Sequence, residues 1–462
     1  MQKSNHVSQR GLRIIIIGVG KVGRSLIEQL SKEGHDITII DKNAEKIQEM
    51  TNLFDIMGIC GNGASHSVQV DAGIEHADLV ISVTDSDELN LLCCTIAKQV
   101  SNCASIARVR TPDYNNDVPY LREKLGLALV IKPELEAAKE ASRILYLPAA
   151  LEVNSFAHGQ AELVKFKIPE GNVLDKLCIA QMSKYTKNEV LICAVERDKE
   201  VTIPSGNTQL LAGDIISFVS PRHFTKCFLE KIGFNTRQVR NTMIIGGGKA
   251  AYYLADELLH NGVDVKIIEN NRVRCEELST LLPKAIIING DGTNQDLLNE
   301  EGIEDVESFV PLTGIDEENI MLTLHCKQVS KAKAITKINR IGFTDVIDSL
   351  DLGSVIYPKM ITSEAIIAYV RAKSASLDTN IETMYHMFDG RTEAIEFLIS
   401  EESKVTNIPL KDLSLKENLL IAFISRKGSI IIPSGNDCLQ VGDSVMIVTK
   451  HTGFNDLVDI LK

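Results

Sequence analysis

No run of apolar residues in this chain approaches the roughly 18 that a membrane span requires, and the opening MQKSNHVSQR has no apolar core behind its charges. The sequence therefore predicts a cytoplasmic chain with no lipid insertion of its own, reaching a membrane only through another protein. Dense lysine or arginine clusters are missing as well, and the formal net charge is −13. Together these exclude a general nucleic-acid binder and a chain that sits directly on anionic lipid. Ten cysteines include the adjacent Cys93 and Cys94 but no CxxC and no Cys/His cluster at zinc spacing, and no HExxH occurs among ten scattered histidines. Reduced, small apolar cysteines of a cytosolic protein are expected, with no metal site. Fibre and disorder are excluded by 44% hydrophobic and 24% charged residues, and 462 residues are too many for one core, so two to four domains are expected.

What is present is a repeat. IIIIGVGKVG at 14–23 is answered by TMIIGGGKAA at 242–251, with Gly18 and Gly246 separated by 228 positions. Asp41 and Glu269, GNGA at 61 and GDGT at 290, Pro204 and Pro433, and Asp214 and Asp443 keep that spacing within one residue. The longest match is late: IPSGNTQLLAGD from Ile203 returns as IPSGNDCLQVGD from Ile432. The chain is a tandem duplication of a unit of about 228 residues.

Each unit divides again. Strands are predicted at Ile14–Ile17, Ile37–Ile40 and Leu79–Val83, and Leu26, Ile27 and Leu30 mark one face of a helix that ends at Gly34. That βαβ rhythm predicts an α/β fold whose parallel sheet is doubly wound in the Rossmann manner. The second part differs. Val164, Phe166 and Ile168 alternate with Lys165 and Lys167, EVLICAVERDKEVTI reads as two antiparallel strands around a charged turn, and Ile395 and Phe397 flank Glu396 in the other copy. A small α+β lobe is predicted there, and proline-entered helices from Pro133 and Pro358 serve as connectors. The expected boundaries are a tail at 1–12, a first parallel-sheet lobe at 13–132, a connector at 133–150 and a first small lobe at 151–233. The second copy runs as 240–357, 358–379 and 380–462.

In GxGxxG after a strand, the first glycine allows the turn, the second lets backbone approach a pyrophosphate, and the third lets helix and sheet pack closely. Gly18, Gly20 and Gly23 fit, and the helix N-terminus behind them supplies N–H groups and positive dipole. Asp41 ends the next strand, where a carboxylate accepts from ribose hydroxyls and repels a 2′-phosphate, so NAD(H) or adenine nucleotides are favoured over NADP. The second copy offers Gly246, Gly248 and Ala251 with Glu269. Lys21, Lys249 and Arg24 at the helix starts either reach phosphate or are simply solvated.

Two later loops recur. GNGA and GDGT each follow a predicted strand, where backbone can border an adenine. VTDSDELN at 83–90 and LTGIDEEN at 312–319 place Thr84 and Thr313 at the carboxyl edge of another strand, where doubly wound sheets bind ligands. Asp85, Asp87 and Asp316 read as helix N-terminal charges. Pro311 in FVPLT is awkward within a sheet and weakens the second site.

A dehydrogenase would also need a proton donor or acceptor beside the reacting carbon and a substrate domain. Tyr120 and Lys124 in YLREK have the YxxxK spacing of short-chain reductases, but no paired serine pattern precedes them and the second copy has no counterpart. A duplicated nucleotide fold with small lobes suits assembly and ligand sensing better than turnover. An NAD-dependent oxidoreductase and a non-catalytic scaffold with a vestigial nucleotide fold are the rival readings.

On GVGKVGR, Asp41, GNGA, VTDSDELN and IARVRTPDY in the first half, and GGGKAA, Glu269, GDGT and LTGIDEEN in the second, the chain resembles the TrkA family. These are peripheral subunits of bacterial Trk potassium-uptake systems, built from tandem RCK (KTN) domains. The resemblance spans nearly the whole chain, and single-unit relatives are about half as long. It implies a regulatory subunit, not an enzyme, whose large lobes bind NAD(H) or, alternatively, ATP/ADP. It further implies a homo-oligomeric ring of RCK domains on the inner face of the plasma membrane, partnered with a potassium-translocating integral membrane protein of the Trk type.

The resemblance assigns phosphates to the glycine turn, ribose to Asp41, the adenosine side to the loops starting at Gly61 and Thr84, and phosphate again to Arg108. The candidate cofactor-binding residues are thus Gly18, Val19, Gly20, Lys21, Val22, Gly23, Asp41, Lys42, Gly61, Asn62, Thr84 and Arg108. In the second copy they are Gly246, Gly247, Gly248, Lys249, Ala250, Ala251, Glu269, Gly290, Asp291 and Thr313. Asn62 stands where the motif often has an acid, and Ala251 with the following tyrosines departs from the usual small residues.

Overall fold

The computed structural model describes residues 11–462 except 112, 113, 115, 116, 187, 188, 340–343, 375–380, 389 and 455. The tail up to residue 10, and Pro112 and Asp113 of the IARVRTPDY segment, therefore lie outside the described residues.

The first half opens with β1 (Arg13–Ile17), α1 (Lys21–Lys32), β2 (Asp36–Asp41), α2 (Ala44–Leu53), β3 (Met57–Cys60) and α3 (His66–Asp71). It continues through β4 (Leu79–Ser82), α4 (Asp87–Val100), β5 (Ala104–Arg108), α5 (Val118–Leu125), β6 (Leu129–Ile131) and α6 (Pro133–Tyr146). The six strands form one parallel sheet in the order β3-β2-β1-β4-β5-β6. Four consecutive isoleucines of β1 are buried, as a central strand covered by helices on both faces requires. Val22, Leu26, Ile27 and Leu30 bury one face of α1, and Gly34 at φ +80 leads the chain out of it.

The small lobe follows with β7 (Glu152–Phe156), β8 (Ala161–Lys167), α7 (Ser183–Thr186), β9 (Leu191–Arg197), β10 (Glu200–Thr202), β11 (Ile215–Pro221) and α8 (Arg222–Lys231). Its strands make an antiparallel sheet, β10-β9-β11-β8-β7, with Asp198 and Lys199 at positive φ in the charged turn between β9 and β10. Phe166, Phe218 and Phe228 pack edge to face at centroid distances of 5.7 and 4.9 Å and fill the space between this sheet and α8.

The second half repeats the plan. Its parallel-sheet part is β12 (Asn241–Ile245), α9 (Lys249–His260), β13 (Asp264–Glu269), α10 (Arg272–Leu281), β14 (Ile286–Asn289), α11 (Gln295–Glu300) and β15 (Ser308–Pro311). It is completed by α12 (Asp316–Val329), β16 (Lys333–Lys337), α13 (Thr344–Ser349), β17 (Ser354–Ile356) and α14 (Pro358–Ser374). Its antiparallel lobe has β18 (Ile381–Met387), β19 (Thr392–Leu398), β20 (Leu419–Arg426), β21 (Ser429–Ile431) and β22 (Ser444–Thr449). The orders are β14-β13-β12-β15-β16-β17 and β18-β19-β22-β20-β21.

Pro311 is accommodated at the last position of β15, opposite Ile245. Having no N–H to give, it ends the pairing with β16 at Phe309, whereas β4 pairs with β5 through to Ser82. Glu396 is 1% exposed, because the face of β19 that it shares with Ala394 is covered by the other antiparallel sheet.

The repeats are not the packing units. One compact unit holds the first parallel sheet together with residues 359–374 of α14. There Arg371 donates to Glu33 at 2.6 and 3.1 Å, and the hydroxyls of Ser363 and Ser25 meet at 3.3 Å. The other unit holds both antiparallel lobes, the second parallel sheet and α6 from residue 134 onward.

Within that second unit, the segment between α6 and β7 is fixed to the sheet by two donors. Lys333 of β16 donates its ammonium to the Ala150 carbonyl, and the Ser354 hydroxyl donates to Leu151 at 2.8 Å. Desolvation, with Lys327 as a nearby like charge, lowers the Lys333 ammonium to about 8 from 10.5. The unfolded chain therefore holds this proton more tightly than the folded one. The resulting penalty is complete below about pH 8 and fades as the pH rises toward 10.5. The difference in urea midpoint between wild type and Lys333→Met should change across this window and be constant below it; a constant difference throughout would refute this account.

Candidate functional site

Each parallel sheet turns into its next helix through a glycine turn, and the three glycines of the first have different reasons. Gly18 has φ +99, and a Cβ there would stand 2.9 Å from the Thr84 nitrogen. At Gly23 a Cβ would stand 2.1 Å from the Gly18 carbonyl oxygen, so the contact of α1 with the turn admits no side chain. Gly20 has an ordinary φ of −81 and nothing within 4 Å of the Cβ position. The fold does not require glycine at residue 20, and the space beside it is open.

Behind Gly20, α1 begins with no side-chain cap and no acidic residue in its first turn. By contrast, Asn43 caps α2 and Ser86 caps α4 through their side-chain oxygens. The first N–H groups of α1 are thus left for an outside acceptor, and the helix dipole makes that acceptor an anion. Lys21 is exposed beside this terminus, as is Lys42 at the end of β2, while Arg24 pairs with Glu49 at 2.7 Å. Val19 and Val22 are buried.

Asp41 ties two loops together. Its carboxylate accepts from the Val19 N–H at 2.7 Å and from the Asn43 N–H at 2.9 Å. Each oxygen keeps a lone-pair direction for a ligand hydroxyl. The GNGA loop lies across the end of β1, because a Cβ at Gly63 would stand 2.2 Å from Ile17, and Asn62 braces it by accepting from the Ala64 N–H at 3.2 Å. Gly61 continues the sheet ladder by donating to the Asp41 carbonyl.

Thr84 is held by Asn90, which is fully buried on α4. The Asn90 side-chain oxygen accepts from the Thr84 N–H and hydroxyl and from Ser82, while its amide donates to the Thr84 and Arg108 carbonyls. Arg108 is buried with its guanidinium on the Thr84 carbonyl at 2.6 Å and near Asp85 at 3.4 Å. Asp87 opens α4, as read from sequence, but it is also buried and accepts from the Arg110 and Thr111 N–H groups at 2.9 and 2.8 Å. Tyr120 is 62% exposed on α5. Lys124, on the same helix, pairs with neighbouring Glu123.

The second copy reproduces this arrangement with substitutions. Gly246 has φ +93, and α9 follows Gly248 with no side-chain cap and no acid in its first turn. Lys249 and Ala250 open α9. Ala251 is fully buried where the first copy has Gly23. The turn is correspondingly looser: a Cβ at Gly246 would clear Leu312 and Thr313 by 3.3 Å. Glu269 accepts from the Gly247 N–H at 2.6 Å and the Asn271 N–H at 2.7 Å. Asp291 accepts from the Thr293 N–H and hydroxyl, and these bonds hold its carboxyl below the usual range. A Cβ at Gly290 would stand 2.5 Å from Leu297, so that glycine serves packing. Asn319 holds Thr313 as Asn90 holds Thr84.

Four contributors escaped the motif reading. Asn90 and Asn319 close VTDSDELN and LTGIDEEN at matching positions, and that repetition was the available signal. Lys337 takes the place of Arg108 and donates to the Leu312 carbonyl at 2.9 Å. Arg274 has Lys46 as its counterpart and donates to the Gly247 carbonyl at 2.7 Å, which sets a guanidinium on the second glycine turn.

The fold and its two glycine-turn sites define the class: two RCK-fold units in one chain. The crystal structure of the GsuK RCK domain superposes with a TM-score of 0.63 at 16% identity, covering 95% of this chain and 92% of that one. A GsuK channel bound to NAD also gives 0.63, at 17% identity over 95% of this chain and 77% of that one. The TrkA-N domain family matches residues 14–133 and 242–358, and the TrkA-C domain family matches residues 163–224 and 394–462. "Trk system potassium uptake protein TrkA" of Haemophilus influenzae is 30% identical over 94% of this chain and 95% of its own length. The "TrkA homolog" of Archaeoglobus fulgidus is 31% identical over 98% of this chain and the whole of its own. The chain belongs to the TrkA family. Among the described residues, no helix is long and apolar enough to cross a membrane.

The different roles of the glycines separate in unfolding experiments. Gly23→Ala should destabilise the first parallel-sheet unit by roughly 2 kcal/mol or more through overpacking against the Gly18 carbonyl. Gly20→Ala should stay within about 0.5 kcal/mol of wild type. Thermal unfolding checks both, and equal losses would show that Gly20 is also a packing residue.

Proposed function

We propose that this chain is a nucleotide-sensing regulatory subunit of a Trk-type potassium-uptake system, gating a potassium-translocating membrane protein in response to NAD(H) or ATP/ADP. The observation that carries the reading is the duplicated uncapped helix terminus behind a glycine turn, with a carboxylate at the end of the neighbouring strand. In this reading pyrophosphate suits the N-terminal ends of α1 and α9, ribose suits Asp41 and Glu269, and the Gly61 and Gly290 loops border the adenine. Membership of the TrkA family supports the transport context, and the fold neighbours include GsuK bound to NAD and GsuK bound to ADP.

Sensing requires that a ligand favour one arrangement of the lobes by its differential affinity for two. Nucleotides that share the phosphate site but differ in phosphate number or in a nicotinamide arm can do so. In this reading the chain is not an enzyme, works as a homo-oligomeric ring at the cytoplasmic face of the plasma membrane, and touches the membrane only through its transporter. The exposed placement of Tyr120 and Lys124 on α5 supports sensing over hydride transfer.

Calorimetry with NADH, NAD, ATP and ADP on the purified chain tests the reading, and no binding by any of the four refutes it. Asp41→Asn should weaken the binding nucleotide about tenfold while leaving the fold intact. Deletion of the chain should impair growth under potassium limitation, and wild type but not Asp41→Asn should restore it.

A further inference from the structure

The two antiparallel sheets lie face to face within one compact unit, with Phe156, Leu163 and Val219 of the first lobe in one core with Phe423, Met446 and Val448 of the second. Ladder registers give the equivalent positions. Lys165 opposes Ser217 and Glu396 opposes Met446, and each of the two comparisons advances by the same repeat within two residues. The same registers match Glu152 with Thr383 and Asn154 with Tyr385, and the residues just before β8 and β19 match Gln160 with Arg391. Had the lobes stayed identical, as in a pair of like subunits, each contact would occur twice. We infer that they have instead become chemically complementary, so that each first lobe accepts a second lobe as partner and rejects a copy of itself.

At one pair of positions the residues have opposite charge. Glu396, 1% exposed, accepts from the Ala157 N–H at 3.0 Å and from the Ser444 hydroxyl at 2.6 Å. Its equivalent Lys165 places its ammonium 4.7 Å over the ring of Phe388, which stands at the Ala157 position. Both turns have the same backbone, with φ +49 at Ala157 and +52 at Phe388. Two first lobes would turn Lys165 toward the Ala157 N–H, a donor facing a donor. Two second lobes would set the Glu396 carboxylate against the electron-rich face of Phe388.

Two further contacts are equally one-sided. Arg391 pairs with Glu196 and donates to the Lys199 carbonyl; in a pair of second lobes it would meet Ser425 and Gly428, with no carboxylate. Tyr385 donates its hydroxyl to Glu152 at 2.7 Å, where a second lobe offers Thr383. Three contacts, two of them joined through the Lys165–Glu152 ion pair at 2.7 Å, thus favour unlike pairing. The chain is a covalently joined heterodimer of lobes, and in any oligomer like halves must meet through other surfaces.

Urea denaturation of the full-length chain tests this. One variant rewrites the second lobe in first-lobe chemistry: Thr383→Glu, Tyr385→Asn, Phe388→Ala, Arg391→Gln, Glu396→Lys and Ser425→Glu. Its unfolding equilibrium constant should rise roughly ten- to hundredfold. Adding the reciprocal changes Glu152→Thr, Asn154→Tyr, Ala157→Phe, Gln160→Arg, Lys165→Glu and Glu196→Ser should recover most of that loss. Wild-type stability in the first variant, or no recovery in the second, overturns the inference. If either is insoluble, a cycle of Arg391→Gln and Glu196→Ser decides: a double substitution costing no more than the worse single one supports unlike pairing, and additive costs overturn it.

Discussion

A methyl group on residue 23 would sit 2.1 Å from the Gly18 carbonyl oxygen, and the architecture of the first nucleotide lobe depends on that contact. It lets α1 start directly beneath the turn, so Val22, Leu26, Ile27 and Leu30 reach the sheet. It also leaves the helix N-terminus facing open space beside Gly20. A capping side chain would satisfy those N–H groups locally, as Asn43 does for α2. Left without a side-chain cap, that terminus suits the anion site proposed above. The second copy differs at this point: Ala251 is fully buried at the position of Gly23, and the turn at Gly246 stands a few tenths of an ångström further from the neighbouring strand.

Much of this is legible in sequence because it is local. Glycine spacing, strand alternation and the 228-residue offset follow from backbone geometry within one element or its neighbour. The burial of Glu396 is not legible this way, since a strand reading IEF looks half-exposed until a second sheet covers its outer face. Likewise α14 follows the second parallel sheet in the chain but packs with the first, through Arg371 and Glu33. Periodicity identifies which face of a helix is apolar, not which partner will cover it. Lys337 and Arg274 were missed for a related reason: their backbone partners come together only when two strands or a strand and a helix are adjacent.

The longest repeated motif illustrates the opposite risk. IPSGN…GD is the best preserved stretch, yet its aspartates close the antiparallel lobes instead of meeting a ligand. Asp214 accepts two bonds from Arg197 and one from the Leu211 N–H, and Asp443 repeats this with Arg426 and Gln440. Removal of the arginine would leave a buried carboxylate without its cation, which is costly enough to favour keeping the pair in both copies. Positions facing the other lobe diverged in charge, each with its own local partner, as Lys165 has Glu152 and Glu396 has Ser444.

The first glycine turn also has a physical connection to a helix from the second half of the chain. The N-terminus of α1 faces the glycine turn, and the same helix carries Ser25 on its buried side, with Glu33 at its C-cap. Both residues hold α14, Glu33 through a largely buried ion pair with Arg371. Two guanidinium N–H groups of Arg371 converge on one Glu33 oxygen, which fastens α14 to the C-terminal end of α1. The chain then continues from α14 toward β18 of the second antiparallel lobe. In the reading proposed above, an anion at α1 would meet a helix already paired with α14 within the same unit.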